Sequence, residues 1–282
     1  MINLVEAISG VIQGEKKLSY ALGRFKLVRH TYSSYRKLSE VIKRENKHIE
    51  GGTIFAKLSI DQINQSLQRD AVFLGLNLPT AFVEEIKTFA EHAPLTREDD
   101  SPLFYYEDVR EGRLADGSPV PQAIAVNPLE CDAIKRIACD SLVLKVISQY
   151  LGYYPNQVLP VLKWSFVTEI PDPERLKLHQ TVYYHYDVHG FNFFYANFYL
   201  LDTDRYSGAH VMVKASHNSK PLWMLLNSTM QPEQVLYDYY GQENELIIEG
   251  KAGYGFLQDA SCYHKALKPT VKERLMLQIR YW

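Results

Sequence analysis

Two potential metal ligands lie two positions apart in an aromatic stretch of the chain. Residues 181–190 read TVYYHYDVHG, so His185 and Asp187 flank a single tyrosine. Successive side chains of a β-strand point to opposite faces, and on a strand these two side chains would share one face. An imidazole and a carboxylate side by side can ligate one metal ion if a third ligand comes from elsewhere. Without that third ligand, such a pair is more often an ordinary surface pair.

His264 is the strongest of the other eight histidines as the third ligand. It follows GYGFLQDASCY at the end of a predicted strand, and Arg274 follows ten residues later on the next one. Two histidines and one carboxylate that leave further positions of the metal open are typical of non-haem Fe(II) oxygenases. Such an enzyme usually needs a 2-oxo acid, and an arginine matches the second carboxylate of that acid better than a lysine does. Arg274 is therefore the candidate ligand of that carboxylate.

The second half of the chain contains the strands that must position these residues. From Val158 onward, short runs rich in aromatic and β-branched residues alternate with Gly, Pro, Asp and Asn, which is typical of an antiparallel sandwich or barrel. One helix, in QPEQVLYDYYGQ, interrupts them. The first half has helical signals instead, such as the capping box at residues 59–62 and a helix bounded by Asp140 and Gly152. We predict an α+β fold in which a helical region, residues 1–157, packs on a catalytic core, residues 158–282, as one compact unit.

A long charged segment interrupts the helical half. Residues 96–122 read TREDDSPLFYYEDVREGRLADGSPVPQ and are rich in Gly and Pro. Segments of this length without secondary structure are usually functional lids or disordered linkers. We predict that residues 96–122 form a lid over the site.

The composition excludes several classes of function. With 46% hydrophobic residues, 23% charged residues and a net charge of −2, the chain is globular and has no general affinity for nucleic acid. Its apolar runs are shorter than the roughly 20 residues of a membrane span, and no signal peptide is evident, so we expect a cytoplasmic protein. Residues 1–50 carry ten Lys or Arg and five Glu, which fits a solvated helical face or a surface for an anionic partner or membrane. GxSxG, GxxxxGK and complete GxGxxG motifs are absent.

Residues 180–282 resemble the phytanoyl-CoA dioxygenase family of Fe(II)/2-oxoglutarate oxygenases. HYD matches the His-x-Asp motif of that family, and EGKAGYGFLQDASCYHKALKP is similar to its stretch around the distal histidine. SGAHVMVKASHNS is similar to a strand that ends in a Ser/Thr-His turn, and RLMLQIRYW looks like the closing strand that carries the oxoglutarate arginine. The turn usually has Pro-Gly before it, whereas this chain has Lys214 and Ala215.

The resemblance implies a fold and a set of site residues. The core would be a double-stranded β-helix of the jelly-roll or cupin type. His185, Asp187 and His264 would be the metal ligands and catalytic residues that hold Fe(II), and Arg274 would bind 2-oxoglutarate. Lower-ranked candidates are Gln180, Asn197 and Trp164 for the cosubstrate, and Tyr183, His189 and Phe191 for the substrate pocket.

The implied activity is the O2-dependent hydroxylation of an unactivated C–H bond in a small-molecule or lipid- or sugar-like metabolite. Two alternatives stay open. A zinc hydrolase can use the same three ligands with a bound water, although Arg274 then has no assigned role. A non-catalytic jelly-roll binding module would bind metal but make no succinate. The basic N-terminal segment and the twenty tyrosines do not choose a substrate.

Overall fold

The computed structural model describes residues 21–42, 52–55, 58–97 and 102–282. The α-helices in these ranges are α1 (Lys26–Ile42), α2 (Ile60–Asp70), α3 (Thr80–His92), α4 (Asp132–Ala138), α5 (Ser141–Leu151), α6 (Asp172–Lys177), α7 (Leu222–Leu226) and α8 (Glu233–Tyr240). Single 3-10 turns occur at Tyr106–Asp108, Pro128–Glu130 and Gln242–Asn244. Within the described ranges, no helix is both long and apolar enough to cross a membrane.

The strands form two antiparallel sheets. They are β1 (Val72–Leu74), β2 (Leu95–Thr96), β3 (Gln122–Ala125), β4 (Val158–Ser165), β5 (Phe194–Tyr199), β6 (His210–Val213), β7 (Glu245–Ile248), β8 (Gly255–Gln258), β9 (His264–Ala266) and β10 (Arg274–Tyr281). The larger sheet has seven strands in the order β1-β8-β5-β10-β4-β3-β2, and the smaller has the order β7-β6-β9. The predicted combination of helices with antiparallel strands is therefore confirmed.

Local sequence signals explain where several helices begin and end. The Ser59 side chain accepts a hydrogen bond from the Gln62 amide at the start of α2, as the capping box predicts. The Asp140 carboxylate accepts hydrogen bonds from two amides at the start of α5, and Gly152 ends that helix with a φ of 81°. The predicted helix between Pro232 and Gly241 is also present, as α8.

The two faces of the seven-stranded sheet have different neighbours. On β10, alternate residues from Leu275 to Tyr281 are buried in the main core, together with Ile63 of α2, Ile86 of α3 and Ile147 of α5. Full burial of one such aliphatic side chain stabilises the fold by about 1.5–3 kcal/mol. The opposite face of the sheet packs against the three-stranded sheet, in a cluster that includes Tyr199, Phe256 and Met276 from one sheet and Met212 and Ile248 from the other. The helices therefore cover one face, and the second sheet covers the face from which Arg274 projects.

The first half of the chain is not purely helical, which corrects the prediction for residues 1–157. Strands β1, β2 and β3 come from it and join both ends of the seven-stranded sheet. At two to four residues each, they are too short to leave a period-two hydrophobic pattern in the sequence. Strands β1 and β3 pair with the edges of β8 and β4 from the second half, and β2 then pairs with β3.

The predicted lid segment contacts the end of the main sheet. Its residues 98–101 lie outside the described part of the chain. Within the rest, the ring of Tyr106 packs 4.5 Å from that of Trp164, and the Tyr106 hydroxyl donates a hydrogen bond to the Glu273 carboxylate. Closure of residues 96–122 over the site stays a prediction.

Candidate metal centre

Backbone pairing brings the two histidines together. His185 and His264 form an isolated antiparallel bridge in which each amide donates to the other's carbonyl, over 2.9 and 2.7 Å. The Asp187 amide donates to the Ala260 carbonyl at 2.9 Å, a second backbone contact between the same two segments. Residues opposite each other in an antiparallel pair have neighbouring side chains. The ring centroids of His185 and His264 are accordingly 4.4 Å apart.

The three predicted ligands form one cluster of possible donor atoms. One ligand atom from each of His185, Asp187 and His264 lies within 4.8 Å of the other two. Asp187 Oδ1 lies 3.5 Å from His185 Nε2, and Asp187 Oδ2 lies 3.7 Å from His264 Nε2. Ligand atoms at about 2.1 Å from a shared metal ion are separated by roughly 3–3.5 Å. The cluster therefore fits a metal ion after small side-chain adjustments.

The other nitrogen of each imidazole has a partner that fixes the tautomer. His185 Nδ1 lies 3.0 Å from the Tyr183 carbonyl, and His264 Nδ1 lies 2.9 Å from the Cys262 carbonyl. A carbonyl oxygen only accepts hydrogen bonds, so Nδ1 carries the proton in each ring. The Nε2 lone pairs then face Asp187, as metal ligation requires.

The electrostatic environment favours the ligand forms of these groups. Burial lowers the pKa of His264 to about 4, and the neighbouring His185 adds to this effect. Burial alone would raise the pKa of Asp187, but His264, His185 and the Tyr195 hydroxyl outweigh it and lower that pKa. Tyr195 donates to Asp187 Oδ2 at 2.8 Å. At neutral pH the carboxylate is therefore charged and His264 is neutral, which are the forms that bind metals.

Arg274 is a buried cation on the face of β10 that meets the second sheet. Its side chain donates to Ser165 Oγ at 3.1 Å and to the Gly208 carbonyl, and only 4% of the residue is exposed. Its Nε has no hydrogen-bond partner, and burial lowers its pKa. Among the described residues, no carboxylate lies within salt-bridge distance of this guanidinium. An unpaired buried charge is costly, so the site is suited to an anionic ligand.

His210 is a residue of this region to which sequence reasoning gave no site role. Its ring stacks on that of His264, with centroids 5.3 Å apart, and its Nε2 is buried without a hydrogen-bond partner. Burial, His264 and Arg274 together lower its pKa well below the usual value, so the ring is neutral. His210 therefore lies between Arg274 and the predicted metal ligands His185, Asp187 and His264, which are called the metal cluster below. The sequence HVMV at residues 210–213 could have indicated this position, because strand alternation puts His210 on the same face as Met212.

The other predicted cosubstrate residues have different surroundings. Asn197 lies on the inner face of β5 and accepts a hydrogen bond from Gln278 Nε2 at 3.1 Å. Gln180 is buried, accepts from Arg175 at 2.7 Å and donates to the Pro121 carbonyl at 3.0 Å.

The structure corrects the prediction for Trp164. Its indole nitrogen donates to the carbonyl of Ala90 in α3, and its ring belongs to the main hydrophobic core. Its neighbour Ser165, by contrast, contacts Arg274. Because adjacent strand residues point to opposite faces, Trp164 points away from Arg274 and cannot share a ligand with it.

Of the three predicted substrate residues, Tyr183 contacts one of the predicted metal ligands. Tyr183 is 38% exposed, and its carbonyl orients His185. His189 Nδ1 lies 3.0 Å from Arg280, and its ring meets that of Trp282 edge-on. Phe191 packs on Tyr32 of α1, with ring centroids 5.0 Å apart. Contact with a substrate stays a prediction for all three.

Comparisons with known proteins identify similar folds but no family. No protein-family model matches the chain, and no curated protein matches it. One similar solved structure is SnoN, a non-heme alpha ketoglutarate dependent epimerase from nogalamycin biosynthesis, with 15% identity, a TM-score of 0.51 and coverage of 79% of this chain and 82% of that one. Another is HygX from Streptomyces hygroscopicus with nickel, 2-oxoglutarate and hygromycin B bound, with 13% identity, a TM-score of 0.51 and coverage of 79% and 87%. At these identities the likeness shows a shared fold.

Proposed function

We propose that this chain is an Fe(II)- and 2-oxoglutarate-dependent oxygenase that hydroxylates a C–H bond of a small-molecule substrate. The observation that carries the proposal is the cluster of His185, Asp187 and His264 with Arg274 nearby. Arg274 is buried without a carboxylate partner among the described residues, and His210 lies between it and the cluster. Two histidines and one carboxylate on one side of a metal are the ligand set of such oxygenases. SnoN and HygX, which have a similar fold, were crystallised with a metal and alpha ketoglutarate or 2-oxoglutarate. We also assign the two facing sheets to a double-stranded β-helix and the chain to the phytanoyl-CoA dioxygenase family.

Each residue of the site has a defined task in this proposal. When bound, the metal would activate O2, and 2-oxoglutarate would supply two of the four electrons that reduce it as it is converted to succinate and CO2; the C–H bond would supply the other two. His185, Asp187 and His264 would hold the metal. Tyr195 orients the Asp187 carboxylate through its hydrogen bond. Arg274 would pair with the far carboxylate of the 2-oxo acid, and its burial would keep water away from that contact.

The buried arginine distinguishes this proposal from a zinc hydrolase. A zinc hydrolase needs the three ligands and a water, and a buried guanidinium without a carboxylate would only destabilise such a site. A binding module that still takes up 2-oxoglutarate would pair the charge as well, so succinate formation and not the arginine separates it from an oxygenase. A 2-oxo acid pairs the charge and places its other end toward the metal, so one ligand accounts for both features.

The proposal can be tested with the purified protein under anaerobic conditions. Isothermal titration should show that 2-oxoglutarate binds the Fe(II)-loaded protein much more tightly than the metal-free protein. After oxygen is admitted, a panel of lipid, sugar-like and aromatic metabolites should be screened for succinate formation. Asp187→Ala is the matched control, and it should lose metal binding, 2-oxoglutarate binding and succinate formation together.

The outcomes separate the alternatives. Metal-dependent hydrolysis of an ester or amide without oxygen or 2-oxoglutarate would show a zinc hydrolase. Binding of metal and 2-oxoglutarate without succinate from any substrate would favour a binding module.

The basic segment at residues 1–50 falls largely outside the described residues, at 1–20 and 43–50. Its anionic partner or membrane stays a prediction, as does a cytoplasmic location.

A further inference from the structure

Arg29 of α1 makes three side-chain contacts with two distant segments of the chain. Its Nε donates to Asn192 Oδ1 at 2.8 Å, its Nη2 donates to Asp259 Oδ2 at 3.0 Å, and its Nη1 donates to Ser261 Oγ. Only 13% of the arginine side chain is exposed. A planar guanidinium with three directional contacts fixes the relative position of its acceptors more closely than a lysine could.

The two segments are those that carry the metal ligands. Asn192 lies five residues after Asp187, and Ser261 lies three residues before His264. Ala260, between Asp259 and Ser261, has the carbonyl that accepts the hydrogen bond from the Asp187 amide. Arg29 therefore holds the backbone junction at which the Asp187 and His264 segments meet.

The acceptors of Arg29 belong to a saturated polar network. Asp259, which is 2% exposed, also accepts from the Tyr150 hydroxyl at 2.8 Å and from the Ser261 amide at 2.9 Å. Burial alone would raise the pKa of Asp259, but Arg29 and the hydrogen bonds keep it well below the usual value. Without Arg29 a buried carboxylate would lose its strongest partner, which strongly destabilises such networks.

Further contacts attach α1 to the same side of the molecule. Asn192 Nδ2 donates to Ser33 Oγ at 2.8 Å and to the Arg29 carbonyl at 3.3 Å. Arg24, just before α1, donates to the carbonyls of Leu225 and Asn227, at 2.7 and 3.1 Å. The segment after Asn227 reaches Met230, which forms an antiparallel bridge with His185. Arg24 and Arg29 thus contact three segments near His185, Asp187 and His264, which are those of Asn192, of Asp259 and Ser261, and of Leu225 and Asn227.

From this arrangement we propose that Arg29 is a positioning residue that couples the docking of α1 to metal binding. The proposal rests on the proposed function, because it requires that the His185, Asp187 and His264 cluster binds a metal. Coupling between two sites is reciprocal in free energy. Loss of the Arg29 contacts should therefore weaken metal binding, and metal binding should in turn hold α1 more firmly against the core.

The test uses the full chain with three substitutions. Arg29→Ala removes all the side-chain contacts, Arg29→Lys keeps the charge without the planar geometry, and Lys37→Ala removes an exposed positive charge from the same helix. Co(II) affinity measured by isothermal titration should fall about tenfold to a hundredfold in Arg29→Ala, the range typical for residues that orient metal ligands. Arg29→Lys should fall between wild type and Arg29→Ala, and Lys37→Ala should match wild type. Circular dichroism of the metal-free proteins verifies that each variant is folded.

Hydrogen exchange gives a second readout that does not depend on activity. Amides of α1 should exchange more slowly in the wild type when Co(II) is added, and this protection should be lost in Arg29→Ala. If Arg29→Ala does not fold, Asn192→Ala, which breaks a neutral part of the network, takes its place with the same expected direction. If wild type binds Co(II) and the folded variants bind it equally well, the coupling is refuted while the metal site stands. If wild type binds no metal, the proposed function itself fails.

Discussion

The most informative perturbation is the removal of Arg274. In the structure this guanidinium is 4% exposed, donates only to neutral oxygens of Ser165 and Gly208, and has no hydrogen-bond partner at Nε. A 2-oxo acid carboxylate would pair with the donors that remain. Arg274→Ala should therefore weaken 2-oxoglutarate binding while leaving the metal cluster nearly intact, because the three ligands lie on other segments.

The size of the effect follows from the burial of the charge. Removing one partner of a buried, hydrogen-bonded charge pair costs about 3–5 kcal/mol. Since about 1.4 kcal/mol corresponds to a tenfold change, the dissociation constant of 2-oxoglutarate should rise on the order of a hundredfold to a thousandfold. Ser165 and Gly208 already engage two of the arginine's donors, which places the expected loss toward the lower end of that range.

Arg280 offers a matched control on the same strand and the same face. Its Nη1 lies 3.0 Å from His189 Nδ1, and its Cζ lies 5.2 Å from the centroid of the Tyr195 ring. Arg280 is therefore near Asp187, whereas Arg274 is near His210. The assay is anaerobic titration of 2-oxoglutarate into the Co(II)-loaded wild type, Arg274→Ala and Arg280→Ala, with Co(II) affinity measured separately.

Two results would refute the reasoning. A large loss of 2-oxoglutarate affinity in Arg280→Ala, with little change in Arg274→Ala, would show that the carboxylate pairs with the other arginine. Unchanged affinity in both variants would remove the basis for a 2-oxo acid cosubstrate. Thermal unfolding gives an independent check, since metal-free Arg274→Met should be at least as stable as wild type if the charge has no protein partner.

Three further predictions concern other parts of the structure. Tyr195→Phe removes the hydrogen bond to Asp187 and should weaken Co(II) binding about tenfold in a titration. The melting temperature of the metal-free protein, measured by calorimetry, should fall by no more than a few degrees. Gly208→Ala should lower the free energy of unfolding by about 1–3 kcal/mol in urea titrations. The reason is that Gly208 has a φ of 90° and that an added Cβ would lie 2.8 Å from the Leu267 carbonyl. An unchanged urea midpoint would contradict this prediction. Hydrogen exchange in residues 96–122 should slow when metal, 2-oxoglutarate and substrate are all present, and slowing elsewhere but not there would argue against a lid.

Local patterns and the family resemblance together predicted that His185, Asp187 and His264 lie side by side, as they do in the structure. The two-residue spacing of His185 and Asp187 determines a shared face on any extended segment, whatever the rest of the fold. His264 and Arg274 were found because each stands at the end or start of a strand that the sequence marks clearly. The capping signals at Ser59 and Asp140 act over three residues or fewer, and the structure contains both. Such features depend on neighbours in the chain, so a single sequence contains the information.

The sequence did not determine which faces and segments meet. Trp164 and Ser165 are adjacent, yet only the packing of helices on one side of the sheet decides that Trp164 points away from Arg274. Strands β1, β2 and β3 form only because neighbouring strands provide an edge for them, and no local pattern marks them. Arg29 and Asp259 are 230 residues apart, and nothing in either neighbourhood indicates their pairing. Such contacts have no local signal, because their free energy depends on burial and charge that exist only after distant segments have packed together.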